Sequence, residues 1–138
     1  MLKNIPTNLS SDLLKLIMEM GHGDELIIAD GNFPAKSLAR NYVSCHGQTG
    51  PQLLDSILTL LPLDSYGDYS VGLMEAPDMT PPIWQTYYEL IDKHEGANKR
   101  VKLIERFAFY EVAKRAYVIA ATSESAIYAN ILLRKGVL

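Results

Sequence analysis

The sequence predicts a single-domain α/β sandwich with a mixed central sheet and flanking helices. Three observations predict it. The 138 residues, 48% of them apolar, make one domain (residues 1–138) whose core needs no covalent staples. Strand and helix signals alternate through most of the chain, the pattern of helices packed around one sheet. The last two strand signals follow each other with no room for a crossover helix, so an antiparallel pair is expected there and the sheet is mixed.

Ser10 or Ser11 caps a first helix, whose stripe is Leu13, Leu14, Leu16, Ile17 and Met20, with Asp12, Lys15 and Glu19 toward water. Gly21, free to take positive φ, is expected to stop it. Glu25 to Ala29 reads as a strand covered on both faces, because Leu26-Ile27-Ile28-Ala29 is continuously apolar. Asp30, Gly31, Asn32 and Pro34 end it in a turn. Tyr42, Val43 and Cys45 form the next strand, and His46 to Gly50 the loop beyond. Pro51 opens a helix through Leu53, Leu54, Ile57, Leu58 and Leu61. After a loop from Pro62 to Asp68, Tyr69 to Met74 reads as a strand interrupted by Gly72. Pro77 to Pro82 is a second loop. Ile83, Trp84, Tyr87, Tyr88, Leu90 and Ile91 then recur at helical spacing, ending near Gly96. Val101, Leu103 and Ile104 form a strand, Arg106 to Ala116 a helix, Tyr117 to Thr122 a strand, and Ile127 to Leu133 the last strand.

Composition removes several classes of function. The 13 basic and 16 acidic residues give a formal charge of −3, which supplies no basic surface for a nucleic-acid backbone. No run is long enough to span a membrane, and a soluble cytoplasmic protein is expected. Cys45 is the lone cysteine, so neither an intrachain disulfide nor a cysteine-rich zinc site can form. The strand position of Cys45 reads as that of a small buried hydrophobe. The histidines, His22, His46 and His94, lack the tight spacing of metal ligands; no metal is expected, and His94 reads as an exposed residue of a last helical turn. The glycines complete neither a dinucleotide fingerprint nor a phosphate loop.

The residues suited to chemistry fall in three segments. In Gly21-His22-Gly23-Asp24-Glu25 two glycines leave an imidazole uncovered, and an unperturbed imidazole exchanges protons near neutral pH. Asp24 or Asp30 could hold its tautomer or anchor a substrate hydroxyl; a capped helix end with a surface histidine is the plainer reading. Asp30-Gly31-Asn32 follows a strand, where α/β proteins commonly bind ligands. Toward the other end, Arg106 offers several fixed donors. Tyr128 and Asn130, two apart on an extended strand, are expected to point to one side. Trp84, Tyr87 and Tyr88 read as the packing face of a helix.

Taken together, these segments resemble the sugar mutarotase family that contains L-fucose mutarotase and D-ribose pyranase, closer to the L-fucose branch. The resemblance runs from Met1-Leu2-Lys3 through Gly21-His22-Gly23-Asp24-Glu25, Asp30, Phe33-Pro34-Ala35 and Leu63-Asp64-Ser65-Tyr66. It continues in Arg106-Phe107-Ala108-Phe109-Tyr110-Glu111 and closes with Tyr128-Ala129-Asn130-Ile131-Leu132-Leu133 and Lys135-Gly136-Val137. The Arg106 segment looks like the fucose branch; the ribose branch carries a histidine in the corresponding part of its pocket.

The resemblance implies a homo-oligomeric ring, a decamer, with pockets at subunit boundaries. It implies cofactor-independent interconversion of the α and β anomers of a reducing monosaccharide, L-fucose first. His22 would be the catalytic acid, and Asp30, Arg106, Tyr128 and Asn130 would bind the sugar. Opening a hemiacetal needs one proton delivered to the ring oxygen and one removed from the anomeric hydroxyl, so no hydride carrier or covalent nucleophile is required. The alternatives are D-ribose pyranase activity and non-catalytic monosaccharide binding, for which a poised His22 would be unnecessary.

Overall fold

The computed structural model describes residues 1–97 and 99–138. Its centre is a six-stranded sheet in the order β2-β5-β1-β6-β3-β4. The strands are β1 (Glu25–Ala29), β2 (Tyr42–Cys45), β3 (Val71–Met74), β4 (Val101–Ile104), β5 (Val118–Thr122) and β6 (Ile131–Arg134). Five run parallel, and β6 alone lies antiparallel, between β1 and β3. The helices are α1 (Ser11–Glu19), α2 (Ala35–Leu38), α3 (Gly50–Leu58), α4 (Pro82–Glu95) and α5 (Arg106–Arg115).

The continuous apolar runs of the strands supply both faces of the sheet, because successive side chains alternate. Leu26 and Ile28 of β1 pack with Leu13 and Ile17 of α1, Leu53 and Ile57 of α3, and Trp84, Tyr87 and Ile91 of α4. Ile27 and Ala29 face the other way, with Ala35 of α2 and Phe109 and Ala113 of α5.

Local chemistry accounts for most helix starts. Ser10 caps α1 through its hydroxyl. Thr49 and Gln52 form a reciprocal capping box on α3, ahead of Pro51. Glu105 caps α5, accepting from the N–H groups of Phe107 and Ala108.

Six expectations are corrected. The mixed sheet is right, but the last two strands do not pair with each other: β1 lies between them. The final strand begins at Ile131 rather than Ile127, because Tyr128 sits at φ +54°, in the left-handed region, and turns the chain. Tyr128 and Asn130 therefore do not share a strand face. Helix α1 ends with Met20 in an extended conformation, and the positive φ belongs to Gly23, at +85°. The turn after Asp30 contains α2, too short to show a period. His94 is not exposed: its ring is mostly covered and bonds Asp55 at 2.7 Å, tying α4 to α3. Among the described residues, no helix is long and apolar enough to cross a membrane.

Candidate active site

Five parallel strands end along one edge of the sheet, and β6 begins there. Asp30 follows β1, Met74 ends β3, Arg106 opens α5 directly after β4, and Asn130 immediately precedes β6. These residues meet in a cleft of ≈ 380 Å³ completed by Tyr110, Tyr128 and Ile127. Four of the five residues singled out in the sequence thus come together: Asp30, Arg106, Tyr128 and Asn130.

Asp30 and Asn130 form a reciprocal pair. The Asp30 backbone N–H donates to Asn130 Oδ1 at 2.8 Å, and Asn130 Nδ2 donates to Asp30 Oδ2 at 3.0 Å. The N–H of Asn32 donates to the other carboxylate oxygen at 3.0 Å. Burial raises the Asp30 pKa above the usual carboxylate value, and these donors only partly offset it. Arg106 lies on the cleft's open rim, with Nε donating to Tyr110 Oη at 3.2 Å, one helical turn along. Phe33 packs against Tyr110 and Phe109, closing the apolar side.

The Tyr128 turn is held from behind by α4. Trp84 Nε1 donates to the Tyr128 carbonyl at 2.9 Å, and Tyr87 Oη donates to the Ala129 carbonyl at 2.7 Å. The aromatic packing face read in the sequence is real, with Trp84 and Tyr87 buried. It also sets the backbone of the cleft.

His22 is elsewhere. It precedes β1, whereas Asp30 follows it, and the length of β1 alone separates the two ends by roughly 13 Å at ~3.3 Å per residue. The turn carrying His22 is closed by Asp24, whose carboxylate accepts the Gly21 N–H at 2.8 Å. It is pinned to the chain end by Gly23 N–H to Lys135 carbonyl and Lys135 N–H to Asp24 carbonyl bonds. The ring is about half exposed (47%), and its Nε2 lies 3.0 Å from Asp64 Oδ1. Neither Asp24 nor Asp30 holds the imidazole; Asp64 does. A second cleft of ≈ 630 Å³ opens beside the Asp64 loop. Its cationic groups are already engaged: Arg100 binds the carbonyls of Gly67 and Asp64, and Lys99 pairs with Asp92.

The other flagged residues have structural partners. Cys45 is buried, and burial pushes its thiol up to about 11. His46 bonds Ser44. Among the described residues, no three His, Cys, Asp or Glu side chains converge as metal ligands would. Asp64, Tyr110, Met74 and Phe33 were not assigned to the site from sequence. Phe33, Asp64 and Tyr110 fall in the segments that carry the family resemblance, but it gave them no role; the Arg106–Tyr110 spacing of four was the local signal, and Asp64, 42 residues from His22, had no local one.

Chemically, the cleft joins an acceptor carboxylate, an amide, a guanidinium and two phenols along an apolar wall. Such a set can hold a polyol with an apolar side.

Residues 3–138 match the model of the RbsD/FucU transport protein family. The chain is 44% identical to the fucose mutarotase of Homo sapiens over 146 residues, covering 99% of this chain and 94% of that protein. It superposes with a TM-score of 0.95 on the fucose mutarotase of Streptococcus pneumoniae solved in complex with L-fucose, at 50% identity and 99% coverage of both chains. Bacillus subtilis RbsD complexed with D-ribose shares the fold, with a TM-score of 0.76 at 19% identity, over 94% of this chain and 95% of that one.

Proposed function

The chain belongs to the RbsD/FucU transport protein family, and from that premise we propose that it interconverts the α and β anomers of L-fucose by general acid/base catalysis without a cofactor. The observation that carries this reading is the cleft at the strand ends. Its hydroxyl-binding groups, Asp30, Arg106, Tyr128 and Asn130, face the same space as the apolar Met74, Phe33 and Ile127. A 6-deoxy sugar has that division, with hydroxyls around most of its rim and a methyl group at one corner. D-Ribose has no methyl group to place.

In the proposed reaction His22 delivers a proton to the ring oxygen as the C1–O bond opens, and the anomeric hydroxyl passes its proton to water; on reclosure both transfers reverse and His22 regains its proton. The aldehyde rotates and recloses with the opposite configuration. Asp30, Arg106 and Asn130 orient hydroxyls through the rotation, and Tyr128 binds a further one. Proton transfer of this kind requires heavy atoms within about 2.6–3.2 Å. The His22 of the same subunit is too far from the cleft, so the His22 of a neighbouring copy completes it. Supporting that assembly, Ile127 at the cleft, Phe107 beside Arg106 and Leu103 on edge strand β4 are large apolar side chains left exposed in the single chain. We take the assembly to be a decameric ring working in the cytoplasm.

The test is exchange NMR on equilibrated reducing sugars, L-fucose and D-ribose among them. Faster anomer exchange of L-fucose than of D-ribose is expected. His22→Gln should lower exchange by roughly 10²–10⁴-fold while leaving sugar binding intact. If no reducing sugar exchanges faster with the protein than without it, the enzymatic reading is wrong; binding without exchange would favour a sugar-binding protein.

A further inference from the structure

Among the described residues, Asp64 is the buried carboxylate aimed at His22, and its own polar atoms are all engaged. It is 5% exposed. Its Oδ1 accepts the Tyr66 N–H at 3.1 Å as well as meeting His22 Nε2, and its Oδ2 accepts the Gly67 N–H at 2.9 Å. Its own N–H donates to the Arg134 carbonyl, and its carbonyl accepts from Arg100 Nη2 at 2.7 Å. The two close approaches in this region occur at glycines: a Cβ at Gly67 would lie 2.8 Å from Asp64 Oδ2, and one at Gly136 2.9 Å from the Asp64 nitrogen. The Tyr66 ring stands edge-on to the imidazole, 5.8 Å between centroids, and narrows its rotation.

We propose that Asp64 is a positioning residue: it accepts the Nε2–H of His22, fixing the ring's orientation and tautomer so that protons pass to and from the sugar through Nδ1. This rests on the anomer-exchange reading above and assigns the working atom of its acid. An ionised carboxylate only accepts hydrogen bonds, so the nitrogen facing it must carry the proton. Donors hold this carboxyl ionised. Chiefly the Tyr66 N–H, then His22, lower its pKa to about 2. The neutral ring therefore presents Nδ1 as its free lone pair, and the protonated ring presents Nδ1–H. The segments that carry Asp64 and His22 are both anchored at the end of β6, through Arg134 and Lys135.

The experiment combines long-range ¹H–¹⁵N correlation on histidine-labelled protein with fucose exchange kinetics in the same samples. In the wild type, His22 should carry its proton on Nε2, and that proton should be protected from solvent. In Asp64→Asn the protection should be lost and kcat should fall roughly tenfold or more, with KM changed much less. A wild-type ring protonated on Nδ1 overturns the proposal, as does a folded Asp64→Asn protein with unchanged kcat. If that variant does not fold, the wild-type tautomer and protection still decide. A wild type that exchanges no fucose refutes the functional reading instead, while the ring spectrum still reports the Asp64–His22 pair.

Discussion

Replacing Tyr87 with Phe tests whether α4 sets the geometry of the cleft. Tyr87 is fully buried, and its hydroxyl donates to the Ala129 carbonyl at 2.7 Å. Gly50 leaves the slot the hydroxyl occupies, since a Cβ there would lie 2.2 Å from the oxygen. Phe keeps the ring and its packing and removes only the donor. The Ala129 carbonyl, itself buried, then loses its partner. Leaving such a group unsatisfied costs about 1–3 kcal/mol, or roughly a 5- to 150-fold smaller folding constant. Urea denaturation of both proteins at one concentration measures this, the fixed concentration being needed because assembly is linked to folding. The hydroxyl points at backbone rather than into the cleft, so no sugar contact is lost directly. The turn that carries Tyr128 and Asn130 is loosened, and the sugar must restore it on binding. KM for L-fucose should therefore rise while kcat stays near that of the wild type. A variant within about 0.5 kcal/mol of wild-type stability and with unchanged KM would refute the claim that this hydroxyl holds the turn.

Three further outcomes are expected. The Asp64 carboxyl is depressed from 3.8 to about 2 in the folded chain, so its stabilisation is complete above the unfolded value and is lost as pH falls from about 4 toward 2. Asp30, shifted upward, acts in the opposite sense above its ordinary value. Urea melts across the acid range should accordingly show a flatter pH dependence for Asp64→Asn than for wild type, and parallel curves would contradict the assignment. Mixing separately inactive His22→Gln and Arg106→Ala proteins, after dissociation and reassembly, should restore part of the exchange activity, because some clefts then combine an intact Arg106 with a neighbour's intact His22. Exhaustive chelation should leave fucose exchange unchanged; loss of activity restored by one stoichiometric ion would overturn the metal-free mechanism.

Much of this was legible because local chemistry decides it. The apolar run Leu26 to Ala29 forms a doubly covered strand, Ser10 caps its helix, and Trp84 and Tyr87 pack inward. The four residues that meet in the cleft were legible as a set through the family resemblance, and Asp30 also through its place directly after a strand. Long-range decisions were not. Nothing in Ile127 to Asn130 announces that Tyr128 will adopt a left-handed conformation, because the two bonds from Trp84 and Tyr87 that stabilise the turn come from more than 40 residues away. The partner of His22 was hidden for the same reason. Asp24 and Asp30 are nearer in sequence, yet Asp24 is spent closing its own turn and Asp30 lies at the far end of the strand.

The antiparallel strand β6 has a consequence for how the molecule is made. It follows the other five in chain order, and it joins β2-β5-β1 on one side to β3-β4 on the other. Until Ile131 to Arg134 have left the ribosome, the sheet exists as two unjoined halves, each with an unpaired edge facing the other. Closure must bring together segments of large sequence separation, as in slow, cooperative folders. Deleting Ile131 to Arg134 would therefore do more than shorten the sheet. It would leave two short sheets with apolar edges, a species suited to aggregation rather than to a weakened enzyme.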